Sequence, residues 1–313
     1  MARSPREWIK YQLGIIPRDK DGVIDGRICY YNWINTPDEN DWFYRFINNS
    51  LPKKAAFNFF SVFGKPLYLK RHPDKRNILY SGENLQERFT RYKDYCLDAV
   101  GLGMGFDDIK ADNYMRFPLW LMFLFEPVVD IKLIRERIEE INAAKSSGKY
   151  ECALIASHDK WQSRQAIYDG LYDIIDIQCA GRWQNNTEIL WQQYHNDKVA
   201  YLKDCKFNIC PENMDTPLYA TEKLFEAFMA GTIPIYTGAA NNPEPDIINH
   251  DAVLFWERDN KSQNEECRNE VLRLKQDENY YHKFMAQNKF QQKAAELIYD
   301  KFAELQRRLL ALC

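Results

Sequence analysis

The stretch Tyr219–Gly238, YATEKLFEAFMAGTIPIYTG, decides the fold because it predicts a loop, a short helix, a glycine stop and a buried strand in succession. Thr221 is suited to cap the helix, and Glu222 in the first turn complements the positive end of the helix dipole. Gly231 stands where helix-ending glycines occur, and Thr232–Thr237 is an apolar, β-branched run typical of a buried strand. The stretch therefore predicts an α/β unit whose helix starts at the end of a sheet.

The residues just upstream extend this unit. Lys206–Cys210, KFNIC, predicts a short strand, and Pro211–Leu218 predicts a loop. A helix N-terminus at the end of a sheet is a common nucleotide site, because its free N–H groups and its dipole favour phosphate. The same pattern occurs in βαβ units that bind nothing, so the pattern alone leaves both interpretations open. The charged pair Glu222–Lys223 at the helix start favours a site.

These residues also carry a resemblance to a known family. The segment Asn208–Gly238, with an Asn-Ile-Cys-Pro-Glu-Asn start, a Tyr-x-Thr-Glu-Lys helix and a Gly-x-x-Pro-x-x-x-Gly end, resembles the donor-binding motif of the family 10 α1,3/4-fucosyltransferases of bacterial type. The resemblance implies that Glu222 and Lys223 bind the donor sugar nucleotide, with Asn213 and Tyr219 beside them. It also implies the GT-B fold, two Rossmann-like α/β domains that face each other across a cleft.

A second marked stretch is Ser81-Gly82-Glu83-Asn84, which follows the predicted strand Arg76–Tyr80. Ligands of open α/β sheets gather beyond the carboxyl ends of strands, so a carboxylate there is well placed for catalysis. A lone loop glutamate is more often a solvated surface charge. Tyr80–Asn84 is similar to the Tyr-x-Gly-Glu-Asn segment of bacterial family members, and this similarity implies that Glu83 is the general base.

Arg164 is the third candidate, seven residues past Ser157 at the start of a predicted helix. The place is similar to a Val-Ala-Ser-Asn…Arg stretch of bacterial relatives, whose arginine contacts the donor diphosphate. His158 and Asp159 stand here where those relatives have Asn and Pro, so the loop departs from the family pattern while the arginine remains. The competing interpretation is an ordinary arginine on a helix surface.

Composition excludes several classes of protein. The chain has 313 residues, a net charge of −3 and a pI near 6.0, so no strongly basic field indicates nucleic acid as a partner. The N-terminus lacks the apolar core of a signal peptide, and no apolar run is long enough for a transmembrane helix. The most apolar run, Phe117–Phe125, is too short to span a membrane and predicts a core helix. We expect a cytoplasmic protein.

The cysteines and histidines predict neither disulfides nor a metal site. The chain has eight cysteines without a CxxC pair, which is typical of free thiols in a reducing compartment. No HxxxH or HEXXH pattern is present. Arg164 and Lys223 carry enough countercharge for a diphosphate, so we expect no metal and no cofactor beyond the donor substrate.

The predicted domains are an N-terminal acceptor-side α/β domain at 1–148, a C-terminal donor α/β domain at 149–290 and a C-terminal amphipathic helix at 291–313. The boundary rests on Ser146–Lys149, a small polar stretch that is typical of a linker. Gly101–Gly105, GLGMG, predicts a glycine-rich turn and lacks the spacing of a dinucleotide fingerprint. The last helix has an apolar stripe, and we expect this stripe to pack against the rest of the protein rather than to insert strongly into a membrane.

The resemblance implies an inverting transferase that moves L-fucose from GDP-fucose to a hydroxyl of a glycan acceptor. Its partners would be GDP-fucose and the glycan, with no nucleic acid, no transmembrane segment and at most peripheral membrane contact through the last helix. Two alternatives stay open. One is a GT-B transferase with a different nucleotide sugar, and the other is a non-catalytic protein that binds a nucleotide sugar or a glycan.

Overall fold

A computed structural model describes residues 4–17, 23–35 and 37–313. The chain divides into two compact units, one formed by Met1–Ile131 with Ile298–Cys313 and the other by Lys132–Leu297. Both are α/β units built on mainly parallel sheets, which confirms the predicted fold class.

The observed division differs from the predicted ranges 1–148, 149–290 and 291–313. The predicted linker is tied into the second unit, because Ser146 N–H donates to Gly231 O and Ser147 N–H donates to Lys203 O. The helix before it belongs to the same unit, since Lys289 Nζ donates to the carbonyl oxygens of Asn142 and Ala144 near the helix end. The polar composition that predicted a linker is thus that of an ordered, hydrogen-bonded connection.

The N-terminal unit contains one six-stranded sheet in the order β1-β2-β3-β4-β5-β6, with β1 antiparallel to β2 and the other neighbours parallel. Its elements up to the second unit are α1 (Pro5–Gln12), β1 (Val23–Ile24), β2 (Ile28–Tyr31), α2 (Trp42–Ser50), β3 (Phe57–Phe60), α3 (Leu67–Arg71), β4 (Asp74–Tyr80), β5 (Val100–Gly105), β6 (Tyr114–Arg116) and α4 (Leu119–Leu124).

The predicted glycine-rich turn at Gly101–Gly105 is wrong, because these residues form β5, an inner strand of the sheet. A Cβ atom at Gly101 would lie 1.8 Å from the carbonyl oxygen of Lys75, and one at Gly105 would lie 2.3 Å from the hydroxyl of Tyr95. The glycines therefore serve close packing against the strand rather than a turn.

The C-terminal unit contains a five-stranded sheet in the order β11-β10-β9-β7-β8, with every pair parallel. Its elements are α5 (Ile131–Ala143), β7 (Tyr150–Leu154), α6 (Ser163–Leu171), β8 (Ile177–Cys179), α7 (Ile189–Gln192), α8 (Lys198–Leu202), β9 (Cys205–Ile209), α9 (Glu222–Ala230), β10 (Ile233–Tyr236), β11 (Leu254–Phe255), α10 (Lys261–Gln276) and α11 (Glu278–Met285). The strand order reverses between β7 and β9, and such a switch point is where open α/β sheets bind ligands.

The sequence of this unit predicts a strand at Ile174–Ile177 and helices at Glu188–Asp204 and Asn264–Phe284, and all three differ from the observed elements. The strand expected at Ile174–Ile177 is β8 and starts only at Ile177. The helix expected at Glu188–Asp204 is split into α7 and α8, and the one at Asn264–Phe284 is split into α10 and α11. The second break occurs at Asp277, whose side chain accepts a hydrogen bond from Tyr280 N–H and so starts a new helix.

The last helix, α12 (Ala294–Leu312), carries its apolar stripe into the core of the N-terminal unit. Phe302 is fully buried, and its ring lies 5.5 Å from that of Trp42 and 6.0 Å from that of Phe117. Arg308 Nη1 donates to Asp112 O. The run Phe117–Phe125 contains α4, whose Trp120 is buried as expected of a core helix. In the described ranges no helix is long and apolar enough to cross a bilayer.

Candidate functional site

A cavity of about 820 Å³ opens in the C-terminal unit, and its wall is made by residues that follow β7, β8 and β9 and by the start of α9. It therefore lies beyond the carboxyl ends of the strands, at the switch point between β7 and β9. The wall has more basic than acidic side chains. Its charged members are Arg164, Arg182, Lys198, Lys223, Glu188 and Glu222. A cavity of this charge and size suits an organic anion.

The start of α9 is held by a carboxylate from the preceding loop. Thr221 is the N-cap residue, as predicted, but its side chain makes no capping bond within the helix. Instead the buried side chain of Glu212 accepts hydrogen bonds from Thr221 N–H and from Thr221 Oγ1, both at 2.7 Å. Tyr236 Oη also donates to Glu212, at 3.4 Å. Glu212 thus fixes the helix N-terminus that borders the cavity.

Lys223 extends from the first turn of α9 into the cavity wall. Its Nζ donates to Glu212 Oε2 at 3.1 Å and to Thr221 Oγ1 at 2.8 Å, and it lies 3.5 Å from Glu222 Oε1. Burial by itself would lower the pKa of the ammonium group, but the carboxylates of Glu212 and Glu222 outweigh it and raise the pKa above its ordinary value. Lys223 is therefore a fixed positive charge at neutral pH.

Arg164 lies in the first turn of α6 and is only 6% exposed. Its Nη2 donates to Asn213 Oδ1 at 3.0 Å, and its Nη1 lies 3.7 Å from Asp159 Oδ1, beyond hydrogen-bond distance. Burial lowers the pKa of the guanidinium below its usual value. A guanidinium has five donors, so this buried cation keeps donors for a ligand in the cavity whose wall it forms.

A second charged pair lies one turn along α9. Lys198 Nζ, from the start of α8, lies 3.8 Å from Glu226 Oε1. Burial raises the pKa of Glu226. Burial also acts to raise the pKa of Glu222, but the positive charges of Lys223 and Lys198 outweigh it, so this pKa lies below its ordinary value. Glu222 is therefore an ionised acceptor in the wall.

Four of the residues predicted for the donor site thus come together, namely Arg164, Asn213, Glu222 and Lys223. The fifth, Tyr219, is buried in the loop before α9, and the described wall of the cavity does not include it. Their roles in binding stay predictions.

Glu83 belongs to the other unit, in the turn that follows β4. Its N–H donates to Ser81 Oγ at 3.2 Å, and Ser81 Oγ donates to Glu83 O at 2.9 Å. The residue is partly exposed, and β4 is an inner strand of its sheet. The predicted position at a strand end is confirmed, and a catalytic role stays a prediction.

Sequence reasoning missed several residues of the site. Glu212 stands beside Asn213 in the same Pro-Glu-Asn segment, and its position before the helix was the available signal. Trp191, which is 67% exposed, lies in the cavity wall with Arg182 and Lys198. Trp191 lies in α7, Lys198 starts α8 and Arg182 lies in the loop after β8, and no sequence motif marks this region between β8 and β9.

The described ranges contain no group of three or more His, Cys, Asp or Glu side chains that could hold a metal ion. All eight cysteines lie in those ranges and none forms a disulfide.

Parallel α/β sheets with a basic cavity at a topological switch point are typical of α/β proteins that bind phosphorylated ligands. The chain belongs to glycosyltransferase family 10, the fucosyltransferases. The model of the C-terminal part of that family matches residues 144–313, and the model described as the α-(1,3)-fucosyltransferase FucT N-terminal domain matches residues 31–123.

Relatives and solved structures agree with this assignment. An α-(1,3)-fucosyltransferase FucT of Helicobacter pylori is 29% identical over 232 residues, which are 63% of this chain and 46% of the relative. A 4-galactosyl-N-acetylglucosaminide 3-α-L-fucosyltransferase 9 of Homo sapiens is 28% identical over 114 residues, 36% of this chain and 30% of the relative. The chain thus spans less than half the length of these relatives.

Crystal structures of an α1,3-fucosyltransferase have the same fold. One covers 90% of both chains with a TM-score of 0.61 and 18% identity. Another, described as containing GDP-fucose, covers 80% of this chain and 77% of the other with a TM-score of 0.51 and 20% identity.

Proposed function

We propose that this protein is an inverting α1,3/4-fucosyltransferase that moves L-fucose from GDP-fucose to a hydroxyl of a glycan acceptor without a metal ion. Family membership, the names of the relatives and the structural neighbours described with GDP and with GDP-fucose support the donor. The observation that carries the proposal is the buried guanidinium of Arg164. It lines a basic cavity and has N–H donors left for a ligand.

The cavity supplies what a leaving diphosphate requires. Arg164 would donate hydrogen bonds in a fork, and Lys223 would act as a point charge. The N-terminus of α9 adds its dipole at the same edge. Glu222 would accept hydrogen bonds from donor hydroxyl groups, and Asn213 would keep Arg164 oriented. Tyr219 completes the proposed donor set, and it would have to turn from its buried position to touch the ligand.

The chemistry requires one proton transfer. Glu83 would take the proton of the acceptor hydroxyl as its oxygen forms a bond to the anomeric carbon of fucose. The bond from that carbon to the diphosphate oxygen breaks on the opposite face, and GDP leaves with its charge held by Arg164 and Lys223. The configuration at the anomeric carbon is inverted as a result.

Calorimetric titration with GDP, followed by transfer from GDP-fucose to a glycan array read by mass spectrometry, tests the proposal. Arg164→Ala and Lys223→Ala should each weaken GDP binding by about 1.5–3 kcal/mol, because charge-assisted contacts to phosphate are lost. The exposed Arg258→Ala and Lys203→Ala in the same unit are the matched controls. Wild-type affinity in both site variants would show that the donor site lies elsewhere.

The same experiments separate the alternatives. A transferase with another donor sugar would bind GDP weakly or leave GDP-fucose unused. A non-catalytic binding protein would bind GDP-fucose but would neither transfer fucose nor hydrolyse the donor when no acceptor is present.

A further inference from the structure

The side chain of Asp159 is buried beside Arg164 and is incompletely bonded. Only 3% of it is exposed. Its Oδ2 accepts a hydrogen bond from Gln165 N–H at 2.8 Å, which ties the loop after β7 to the first turn of α6. Its Oδ1 is buried and accepts no hydrogen bond from any described residue, although Arg164 Nη1 is 3.7 Å away. One carboxylate oxygen is thus held at ion-pair distance from the guanidinium without a hydrogen bond to it.

We propose that Asp159 is a positioning residue that acts through Arg164 and weakens the binding of the donor diphosphate to this arginine. The inference rests on the function proposed above, since it requires the anion to bind Arg164. The carboxylate and the anion would compete for the same guanidinium, because Asp159 Oδ1 lies 3.7 Å from Arg164 Nη1 and Arg164 lines the cavity.

The geometry indicates that Asp159 competes with the anion for Arg164 rather than only orienting this arginine. A carboxylate that only oriented Arg164 would form a short, forked ion pair with it. The observed separation of 3.7 Å and the unbonded Oδ1 leave the arginine oriented by Asn213 instead, at 3.0 Å. Asp159 is therefore available to take up the guanidinium when the product leaves, which would speed the release of GDP.

The charge of Asp159 can be removed without losing its contact with α6. Asn in Asp159→Asn keeps an oxygen that can accept from Gln165 N–H, and the hydroxyl in Asp159→Ser offers a second way to accept that bond. Asp169→Asn is the control, because Asp169 is an exposed carboxylate on the same helix and its loss changes the net charge equally.

The test is the dissociation constant of GDP, measured by calorimetry on the full chain. We expect Asp159→Asn and Asp159→Ser to tighten GDP binding by about three- to tenfold while Asp169→Asn leaves it unchanged. In the Arg164→Ala background, adding Asp159→Asn should change the affinity by less than about twofold, because the shared partner is gone.

The inference is overturned if both charge-removing variants bind GDP as wild type does or more weakly. It is also overturned if Asp159→Asn tightens binding equally in the Arg164→Ala background, because the carboxylate would then act on the ligand directly. A wild-type protein that binds no GDP would instead refute the proposed function, so the two failures are distinguishable.

Discussion

Glu212→Gln should destabilise the C-terminal unit although it changes a single atom. The carboxylate is only 2% exposed, and its Oε2 accepts from Thr221 Oγ1 at 2.7 Å and from Lys223 Nζ at 3.1 Å. An amide in its place keeps one acceptor oxygen for Thr221 N–H and turns an NH₂ group towards these two donors. The partly buried Lys223 then loses its closest carboxylate, and one or two charge-assisted hydrogen bonds are lost. We expect the free energy of unfolding to fall by about 2–4 kcal/mol.

Urea denaturation followed by circular dichroism and tryptophan fluorescence measures this loss. If the two units unfold separately, the transition of residues 132–297 is the one that should move. Glu188→Gln is the control, because Glu188 is an exposed carboxylate of the same cavity wall and its change should stay within about 0.5 kcal/mol. A loss below about 1 kcal/mol for Glu212→Gln would refute the view that this carboxylate anchors the start of α9.

Three further changes test other parts of the molecule. Glu83→Gln should lower kcat for fucosyl transfer by about two to four powers of ten while GDP binding, measured by calorimetry, persists. Transfer within about threefold of wild type would exclude Glu83 as the base, and Glu87, the next carboxylate along the chain, would then be the candidate to test. Phe302→Ala should cost the N-terminal unit about 3–5 kcal/mol in urea denaturation, against less than about 1 kcal/mol for the exposed Leu310→Ala, and equal losses would contradict the packing of α12. Burial, assisted by the charge of Lys145, lowers the pKa of Lys289 from 10.5 to about 8 in the folded protein. Between pH 8 and 10.5 the unfolded chain therefore binds more protons than the folded one, and the free energy of unfolding should rise with pH in this range. The rise should be missing in Lys289→Met, and parallel pH profiles of the variant and the wild type would refute this prediction.

The central motif was predictable because its local signals agree with its tertiary role. The helix was expected to end at Gly231, and this residue has the left-handed conformation, with φ of 70°, that ends α9. A Cβ there would also lie 2.4 Å from Lys145 N. Local conformation and long-range packing select the same residue, so sequence alone located the element.

The rest depends on contacts between distant residues. Gly101–Gly105 has the composition of a turn, and only the close approach of Lys75 and Tyr95 shows why a strand needs those glycines. In the site, Asn213 was expected as a donor ligand, yet its observed contact is with Arg164, 49 residues away in sequence. The neighbouring Glu212 was missed because its partners, Thr221 and Lys223, are brought to it only when the loop folds.

The return of residues 298–313 to the N-terminal unit has a consequence for the order of folding. Residues 132–293 of the second unit are synthesised before α12, the helix that completes the first unit, so the second unit is a continuous segment of the nascent chain while the first is not. Until Phe302 emerges, Trp42 and Phe117 lack a neighbouring aromatic ring on which they pack. The aromatic side chains of the nascent N-terminal unit therefore stay partly uncovered through most of translation. We expect chaperones that bind exposed apolar side chains to recognise this surface.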